Sequence, residues 1–473
     1  MLGLFGTLDL GSRSLATQRQ GVEVAGHNLA NVNNPAYARQ RLHIQTSPTV
    51  SSRVGPQGTG ADAVAIVQLR SSLLDRQITS EAGVRGSLEA QQSALQYAQA
   101  DLGQQLDRLT SGAAAAQGVG GAHSLSDGLA DLFNSFQSLS TNVSSQAERQ
   151  VVLQKAADLA AQFNQVDRRL GELTGVLDDS VAADVGSANS LLSGIARLND
   201  QIATTELNKD GAANDLRDLR QQKVEELAKL VKVDVSAGAN GAVDISIAGM
   251  TMVSGIQVAD TLETYNAGGG QILVRATTAG TPLALTGGSI EGTIDARDGA
   301  VAGLRSNVDS LAALLITEVN AVHAAGFSLT GSTGAAFFTG NGSANIAVDS
   351  ALATNPSLLQ AAGVAGAAGD NQTALALARL ASQAHAGLNG QTFSQRYAQT
   401  VAGLGQSLAS VNTQLGDQQV VDAMLMGQRD SVSGVSLDEE MAHLTKYQQA
   451  FVASAKLIRT VDEMLDTVVN LKR

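Results

Sequence analysis

Residues 4–35 read LFGTLDLGSRSLATQRQGVEVAGHNLANVNNP. Leu8, Leu15, Val22 and Leu29 recur every seven residues, with Leu4 and Ala25 at the four- and three-residue offsets. A seven-residue apolar repeat lays one narrow stripe along a helix, the pattern of a coiled-coil seam. Pro35 cannot continue a helix, and Asn31-Val32-Asn33-Asn34 before it is turn chemistry, so the spacing predicts a helix that stops near Asn31. The far end of the chain repeats the pattern: Leu444, Phe451, Ile458 and Leu465 are again seven apart. A second stripe there runs through Leu457, Val461, Met464, Val468 and Leu471. Ser436 is the expected N-cap, with Glu439 completing a capping box. Asp438, Glu439 and Glu440 suit the positive end of a helix dipole. One helix over 437–471 follows, about 50 Å long. Two helices lying together cover one stripe each, so the second C-terminal stripe needs a further partner. Each Leu or Ile left in water forfeits roughly 1.5–3 kcal/mol of burial. The pair therefore reads either as a buried bundle core or as an assembly surface toward copies of the same chain.

Between these ends the pattern stays helical to about residue 230. Leu88, Leu95, Leu102 and Leu109 form a third heptad seam, and Leu129, Leu132, Phe136, Leu139 and Val143 mark a helix over 125–143. A long helix starts near 147. Asn208-Lys209-Asp210-Gly211 reads as the turn of a helical hairpin, and glycine-rich 112–121 as a loop. Residues 232–294 change character: Val233-Asp234-Val235, Val243-Asp244-Ile245-Ser246-Ile247 and Ile272-Leu273-Val274 alternate at period two between glycine-rich turns, which predicts a small β-rich segment. Helix returns over 299–325. Residues 326–370 are loop and short strands anchored by Phe327, Phe337 and Phe338, and helices over 371–387 and 393–428 follow. The expected fold class is mainly α with a small β insert. Paired terminal helices, a long-helix body and an outer β-rich domain are nested in sequence. The predicted divisions are 1–48 with 431–473, 49–231 with 295–430, and 232–294.

The chain has 473 residues, no cysteine, no tryptophan and a net charge of −13. Without cysteine there is no disulfide, thiolate metal site or Cys nucleophile. The acidic balance argues against nucleic acid as a partner, since phosphate binding needs clustered Lys and Arg. Residues 1–48 carry +2 and 431–473 carry −1, so the acid lies in the middle. No apolar run reaches the roughly 18 residues of a membrane span. Met1 to Gly11 has no basic n-region or small-residue cleavage site, so no cleaved signal peptide is expected.

A search for an active site finds no convergent set. His27, His43, His123, His323, His385 and His443 are scattered, with no pair four apart and no H-E-x-x-H. Gly55-Pro56-Gln57-Gly58-Thr59-Gly60 has a phosphate loop's glycines but no lysine, and reads as a β-turn. Asp178-Asp179 and Asp438-Glu439-Glu440 sit as helix-terminal or solvated charges. No catalytic, cofactor-binding or metal residue is expected.

Ala25-Gly26-His27-Asn28-Leu29-Ala30-Asn31-Val32-Asn33-Asn34-Pro35-Ala36-Tyr37-Ala38-Arg39-Gln40-Arg41 resembles the N-terminal signature of bacterial flagellar rod, hook and hook-associated proteins. The family's usual form is A-x-N-L-A-N-x-N-T-x-G-Y-x-R-Q; Asn34 and Ala36 stand where Thr and Gly are common. The stretch Ser433-Gly434-Val435-Ser436-Leu437-Asp438-Glu439-Glu440-Met441, with Tyr447-Gln448-Gln449-Ala450-Phe451 and Thr460-Val461-Asp462-Glu463-Met464-Leu465, is similar to the matching C-terminal signature. Asn214-Asp215-Leu216-Arg217-Asp218-Leu219-Arg220 and His323-Ala324-Ala325-Gly326-Phe327-Ser328-Leu329-Thr330-Gly331 resemble the branch that joins hook to filament.

The resemblance implies a structural, non-enzymatic flagellar component outside the cell, exported without a cleaved signal. Its implied partners are copies of itself, hook subunits, the next hook-associated protein on the filament side, and an export chaperone near the C-terminus. Neither nucleic acid nor membrane insertion is implied. The expected assembly seam is Leu4, Leu8, Leu15, Val22 and Leu29 with Leu444, Phe451, Ile458 and Leu465. The family-motif positions are Asn28, Leu29, Ala30, Asn31, Asn33, Pro35, Tyr37, Arg39, Gln40, Asp438, Glu439, Glu440, Met441, Asp462, Glu463 and Met464. Two other readings stand beside this one: a hook or distal-rod subunit, and a secreted surface-binding protein built on a flagellin-type scaffold.

Overall fold

The structure, a computed structural model, describes residues 3–52, 55–102, 124–207 and 213–470. In chain order the elements are α1 (Leu4–Ala30), β1 (Gln40–Thr46), β2 (Val50–Ser52), β3 (Gly55–Gln57), β4 (Ala61–Gln68), α2 (Ser72–Asp101), α3 (Leu125–Thr141), α4 (Gln146–Thr205) and α5 (Asn214–Leu230). Six strands follow: β5 (Asp234–Ala237), β6 (Val243–Ile247), β7 (Met250–Ser254), β8 (Gln257–Val258), β9 (Leu262–Asn266) and β10 (Ile272–Ala276). The rest is α6 (Ser289–Asp295), a π-helical turn (Ala296–Val301), α7 (Ala302–Ala324), β11 (Phe338–Thr339), β12 (Ala347–Val348), α8 (Ser350–Thr354), α9 (Gln372–Arg379), α10 (Phe393–Ser433) and α11 (Leu437–Asn470). The chain is mainly helical with small sheets, as its periodicities predict.

The chain divides into two compact units. One holds Met1–Gly86, Val185–Gly288 and Asp417–Arg473; the other holds Ser87–Asp184 and Ser289–Gly416. The boundary predicted at 231/232 falls inside the first unit, which contains both terminal helices and the β-rich segment.

In the first unit, α1 ends as expected: the Asn31 N–H donates back to the carbonyls of His27 and Asn28. Strands β1 and β4 pair antiparallel, from Gln40 opposite Gln68 to Thr46 opposite Ala61. Sequence analysis placed no strand here. The alternation in β4 is muted because alanines take three of its eight positions. The β-turn expected at Gly55–Gly60 is instead strand β3, paired with β2, with Gly55 and Gly60 at positive φ. From Val185 onward α4 packs antiparallel with α5, as the hairpin reading expects: Arg220 donates to Asn199 Oδ1 at 2.8 Å and Arg217 pairs with Glu206 at 2.6 Å. Strands β5–β8 form a four-stranded meander and β9–β10 a hairpin. Asn199, fully buried, docks the meander on the helices by donating to the carbonyls of Val243 and Gly255. Gly288 has φ +92° and lies against the Leu230–Val231 backbone, leaving no room for a β-carbon.

The second unit carries a continuous core. Leu129, Leu132, Phe136, Phe163 and Leu170 are fully buried, and the predicted seam residues Leu88, Leu95 and Leu102 join them. Each large apolar side chain so buried contributes roughly 1.5–3 kcal/mol. Helix α4 is one unbroken helix of 60 residues, from Gln146, beside the start expected near 147, to Thr205. The helix expected over 371–387 is shorter: α9 ends at Arg379, and the chain then turns so that His385 is buried and its backbone pairs with Gln391. Phe337 and Phe338 are buried anchors, whereas Phe327 is half-buried. Leu109, the loop at 112–121, the turn at 208–211 and Leu471 lie outside the described residues.

His323 is wholly buried in this core. Its Nε2 accepts the Gln360 N–H at 2.9 Å, so this nitrogen is unprotonated, and Nδ1 lies 2.8 Å from the Ala335 carbonyl as the donor. Burial pushes its pKa down to about 4, against the opposing pull of that carbonyl. A depressed pKa means the unfolded state binds more protons, so this stabilisation is complete above the ordinary value near 6.5 and is lost as pH falls through 4. The loss amounts to about 3 kcal/mol. Hydrogen-exchange protection of the Gln360 amide is expected to drop by roughly two orders of magnitude between pH 7 and pH 4. Protection that stays level across that range would contradict a neutral, buried His323.

Candidate assembly site

The site grows out of the turn that ends α1. Asn34 accepts the Ala36 N–H on Oδ1 and the Tyr37 N–H on its carbonyl, so the chain doubles back and lays Tyr37 against the helix it has just left. The buried Tyr37 hydroxyl donates to Asn28 Oδ1 at 2.7 Å, and His27 Nδ1 lies 3.0 Å from the same hydroxyl. Burial, and then the charges of Asp215, Asp218 and Glu440, raise the Tyr37 phenol well above its ordinary range, which keeps the proton it donates.

Asn28 is the centre of the arrangement. Its Oδ1 also accepts the Gln40 N–H at 3.0 Å, while Nδ2 donates to the Gln40 carbonyl at 2.8 Å and to Glu440 Oε2 at 3.1 Å. All four hydrogen-bonding positions of the amide are thus used, in a residue 1% exposed. Glu440, 3% exposed, sits in the first turn of α11 and takes the Arg39 Nε on Oε1 at 2.7 Å; Arg39 Nη1 reaches Glu439 at 2.6 Å. The predicted N-cap is present, with Ser436 Oγ 3.5 Å from the Glu439 N–H. Glu439 does not close a capping box, however, because Arg39 takes its carboxylate.

A third stretch completes the site. Asn214 donates to the Ile66 carbonyl, Asp215 accepts from Gln40, and Asp218 accepts the Ala38 N–H at 3.1 Å. Arg70 lies between Asp218 at 3.2 Å and Asp75 at 3.1 Å. Burial raises the Asp218 pKa to about 6, against the pull of the Ala38 N–H and Arg70. The two signatures and the 214–220 stretch, far apart in sequence, therefore meet at one polar knot. Arg70 and Asp218 were not among the predicted site residues. The 214–220 motif was the available signal for Asp218, and nothing in the sequence pattern marks Arg70.

Of the family-motif positions, Asn28, Tyr37, Arg39, Gln40, Glu439 and Glu440 converge. Ala30, at the end of α1, and Asn33 and Pro35, in the turn, are exposed, while Leu29 and Asn31 are half-buried. Asp438 and Met441 are exposed, and Asp462, Glu463 and Met464 lie roughly 33–36 Å along α11 from Glu440, facing solvent. The predicted seam residues Leu4, Leu8, Leu15, Val22, Leu29, Leu444, Phe451, Ile458 and Leu465 are all half-buried. On α1 the buried residues are Gly11, Thr17, Gly21, Val24, Ala25 and Asn28, so the face that meets α11 lies beside the leucine stripe rather than on it. The two helices run antiparallel, with Ser14 opposite Ser454 (Oγ–Oγ 2.8 Å) and Asn28 opposite Glu440. On α11, Val461 is buried, while Leu457, Met464 and Val468 of the second stripe remain exposed, as do Leu437 and Val452. Among the described residues no cluster of three His, Asp or Glu could hold a metal, and no helix is long and apolar enough to cross a membrane.

Residues 117–338 match the model of the flagellar hook-associated protein FlgK helical domain, and residues 427–471 that of the flagellar basal body rod FlgEFG protein C-terminal. The flagellar hook-associated protein 1 of Bacillus subtilis is 27% identical over 99% of this chain and 99% of its own length. That of Escherichia coli is 23% identical over 97% and 98%, and that of Salmonella typhimurium 25% over 74% and 81%. The solved structure of the flagellar hook junction protein FlgK from Burkholderia pseudomallei shares the fold, with a TM-score of 0.62 at 15% identity over 76% of this chain and all of that one. Knotted terminal signatures on a helical body, together with these matches, define the class: structural proteins of the bacterial flagellum. Within it, this chain is similar over nearly its whole length to flagellar hook-associated protein 1.

Glu440→Ala would leave Arg39 and Asn28 facing a buried gap, at a cost of about 3 kcal/mol. Glu440→Gln keeps an acceptor and should cost markedly less. Denaturant unfolding of the full chain measures both; equal losses would show that charge is irrelevant at this position.

Proposed function

We propose that this chain forms the junction layer between hook and filament, with its paired terminal helices as the packing surface between subunits. The observation that carries this is the state of α11. One side is held against α1 in a defined place, while Leu457, Met464 and Val468 stay in water. Covering those three would contribute roughly 5–9 kcal/mol per subunit, an upper figure. Copies of the same chain, hook subunits and the next hook-associated protein on the filament side are the partners that could cover them. The division into terminal helices (1–48 with 431–473), helical body and outward β-rich segment (232–294) is part of this reading. So are export without a cleaved signal and an export chaperone bound near the C-terminus. The absence of cysteine supports a chain that crosses compartments and assembles outside the cell.

Electron micrographs of cells lacking this chain are expected to show hooks without filaments. Loss of the hooks themselves would favour a hook or distal-rod subunit instead. A Met464→Asp/Val468→Asp chain should fold normally, as read by circular dichroism, yet fail to restore filaments. Full restoration would remove the exposed stripe of α11 from the packing surface.

A further inference from the structure

The antiparallel pair of α1 and α11 has a register problem. Along α11 the half-buried residues Leu444, Phe451, Ile458 and Leu465 repeat every seven residues, so sliding the helix by one heptad replaces one large apolar residue with another. Along α1, Ser14, Gly21 and Asn28 repeat with the same period. The heptad repeat alone therefore offers at least three registers.

Two contacts distinguish them most directly. Tyr447 lies directly over Gly21: a β-carbon on Gly21 would stand 2.5–2.8 Å from three atoms of the Tyr447 ring, too close for any side chain. A slide of seven residues in one direction sets Tyr447 against Asn28, and in the other against Ser14. Both carry a β-carbon; Gly21 is the member of the repeat that does not. Seven residues further along α1, Asn28 finds Glu440, which a slide would carry away from both Asn28 and Arg39. We propose that Gly21 with Tyr447, and Asn28 with Glu440, are the specificity-determining pairs that select one register of the terminal helices. Ile458 over Gly11 adds to the choice, since a slide would set it against Leu4 or Gln18, and the remaining heptad residues supply adhesion. A buried polar pair suits this role because every wrong register leaves it unsatisfied.

The natural chain has no cysteine, so paired cysteines report register without background. Ser14→Cys/Ser454→Cys reports the register of the structure, since these hydroxyls lie 2.8 Å apart. Ser14→Cys/Val461→Cys and Thr7→Cys/Ser454→Cys report slides of one heptad either way. In the purified full-length chain the first pair is expected to cross-link at least tenfold faster than the other two. Gly21→Ala should reduce that native cross-link at least tenfold, although alanine is the better helix former. Tyr447→Ala added to Gly21→Ala should restore it to within threefold. Native cross-linking that survives Gly21→Ala unchanged would overturn the proposal. So would failure of Tyr447→Ala to restore it, because the defect would then lie elsewhere than in this contact.

Discussion

One carboxamide, that of Asn28, holds the terminal part of the molecule together. Buried amides demand that each donor and acceptor be matched, and a single missing partner costs about 1–3 kcal/mol. Asn28 meets that demand with the backbone of Gln40, the hydroxyl of Tyr37 and the carboxylate of Glu440. Those partners come from the strand after the turn, the turn itself and the last helix of the chain. The turn must therefore fold back, β1 must start where it does, and α11 must arrive in place before Asn28 is satisfied. Around this centre the charges are arranged to tolerate burial. Arg39 spans Glu439 and Glu440, Arg70 spans Asp75 and Asp218, and Arg429 pairs with Glu225.

Much of this was legible in the sequence, for a physical reason. The terminal helices announce themselves because heptads of Leu, Val and Phe survive any context, and Pro35 is unambiguous punctuation. The long core helices follow from apolar period, β6 from strict alternation, and β10 from the run Ile272-Leu273-Val274 beside glycine-rich turns. What stayed hidden was of three kinds. The strands of 40–68 alternate weakly, since alanine scores as neither core nor surface. The unbroken length of α4 was left open by Gly171, Gly175, Gly186 and Gly194, each costing a helix up to about 1 kcal/mol, which burial of Leu170, Leu177, Val185 and Leu192 more than offsets. The phase of the terminal seam was hidden because contact falls on glycine, serine and asparagine, to which hydrophobic patterning gives no weight.

The polar knot shows a similar split. Asn28, Tyr37, Arg39, Asp218 and Glu440 stood inside recognisable stretches, whereas Arg70 looked like an ordinary surface charge. A charged residue is solvated far more often than buried, and only folding brings Arg70 under the loop from Asn31 to Arg39. The knot is assembled from residues up to 412 positions apart. Contacts of that separation carry no local trace.

That separation has a consequence for how the molecule comes into being. The hydrogen bonds that finish α1 belong to the last helix of the chain, so the first segment to emerge from synthesis is completed by nearly the last. Pairings of such long range form late and depend on everything between them. A chain that breaks off before α11 keeps the helical core of its second unit but leaves Asn28, Tyr37 and Arg39 without their closing partner. Closure of the terminal pair thus works as a test of integrity, passed only by a molecule that possesses both its ends.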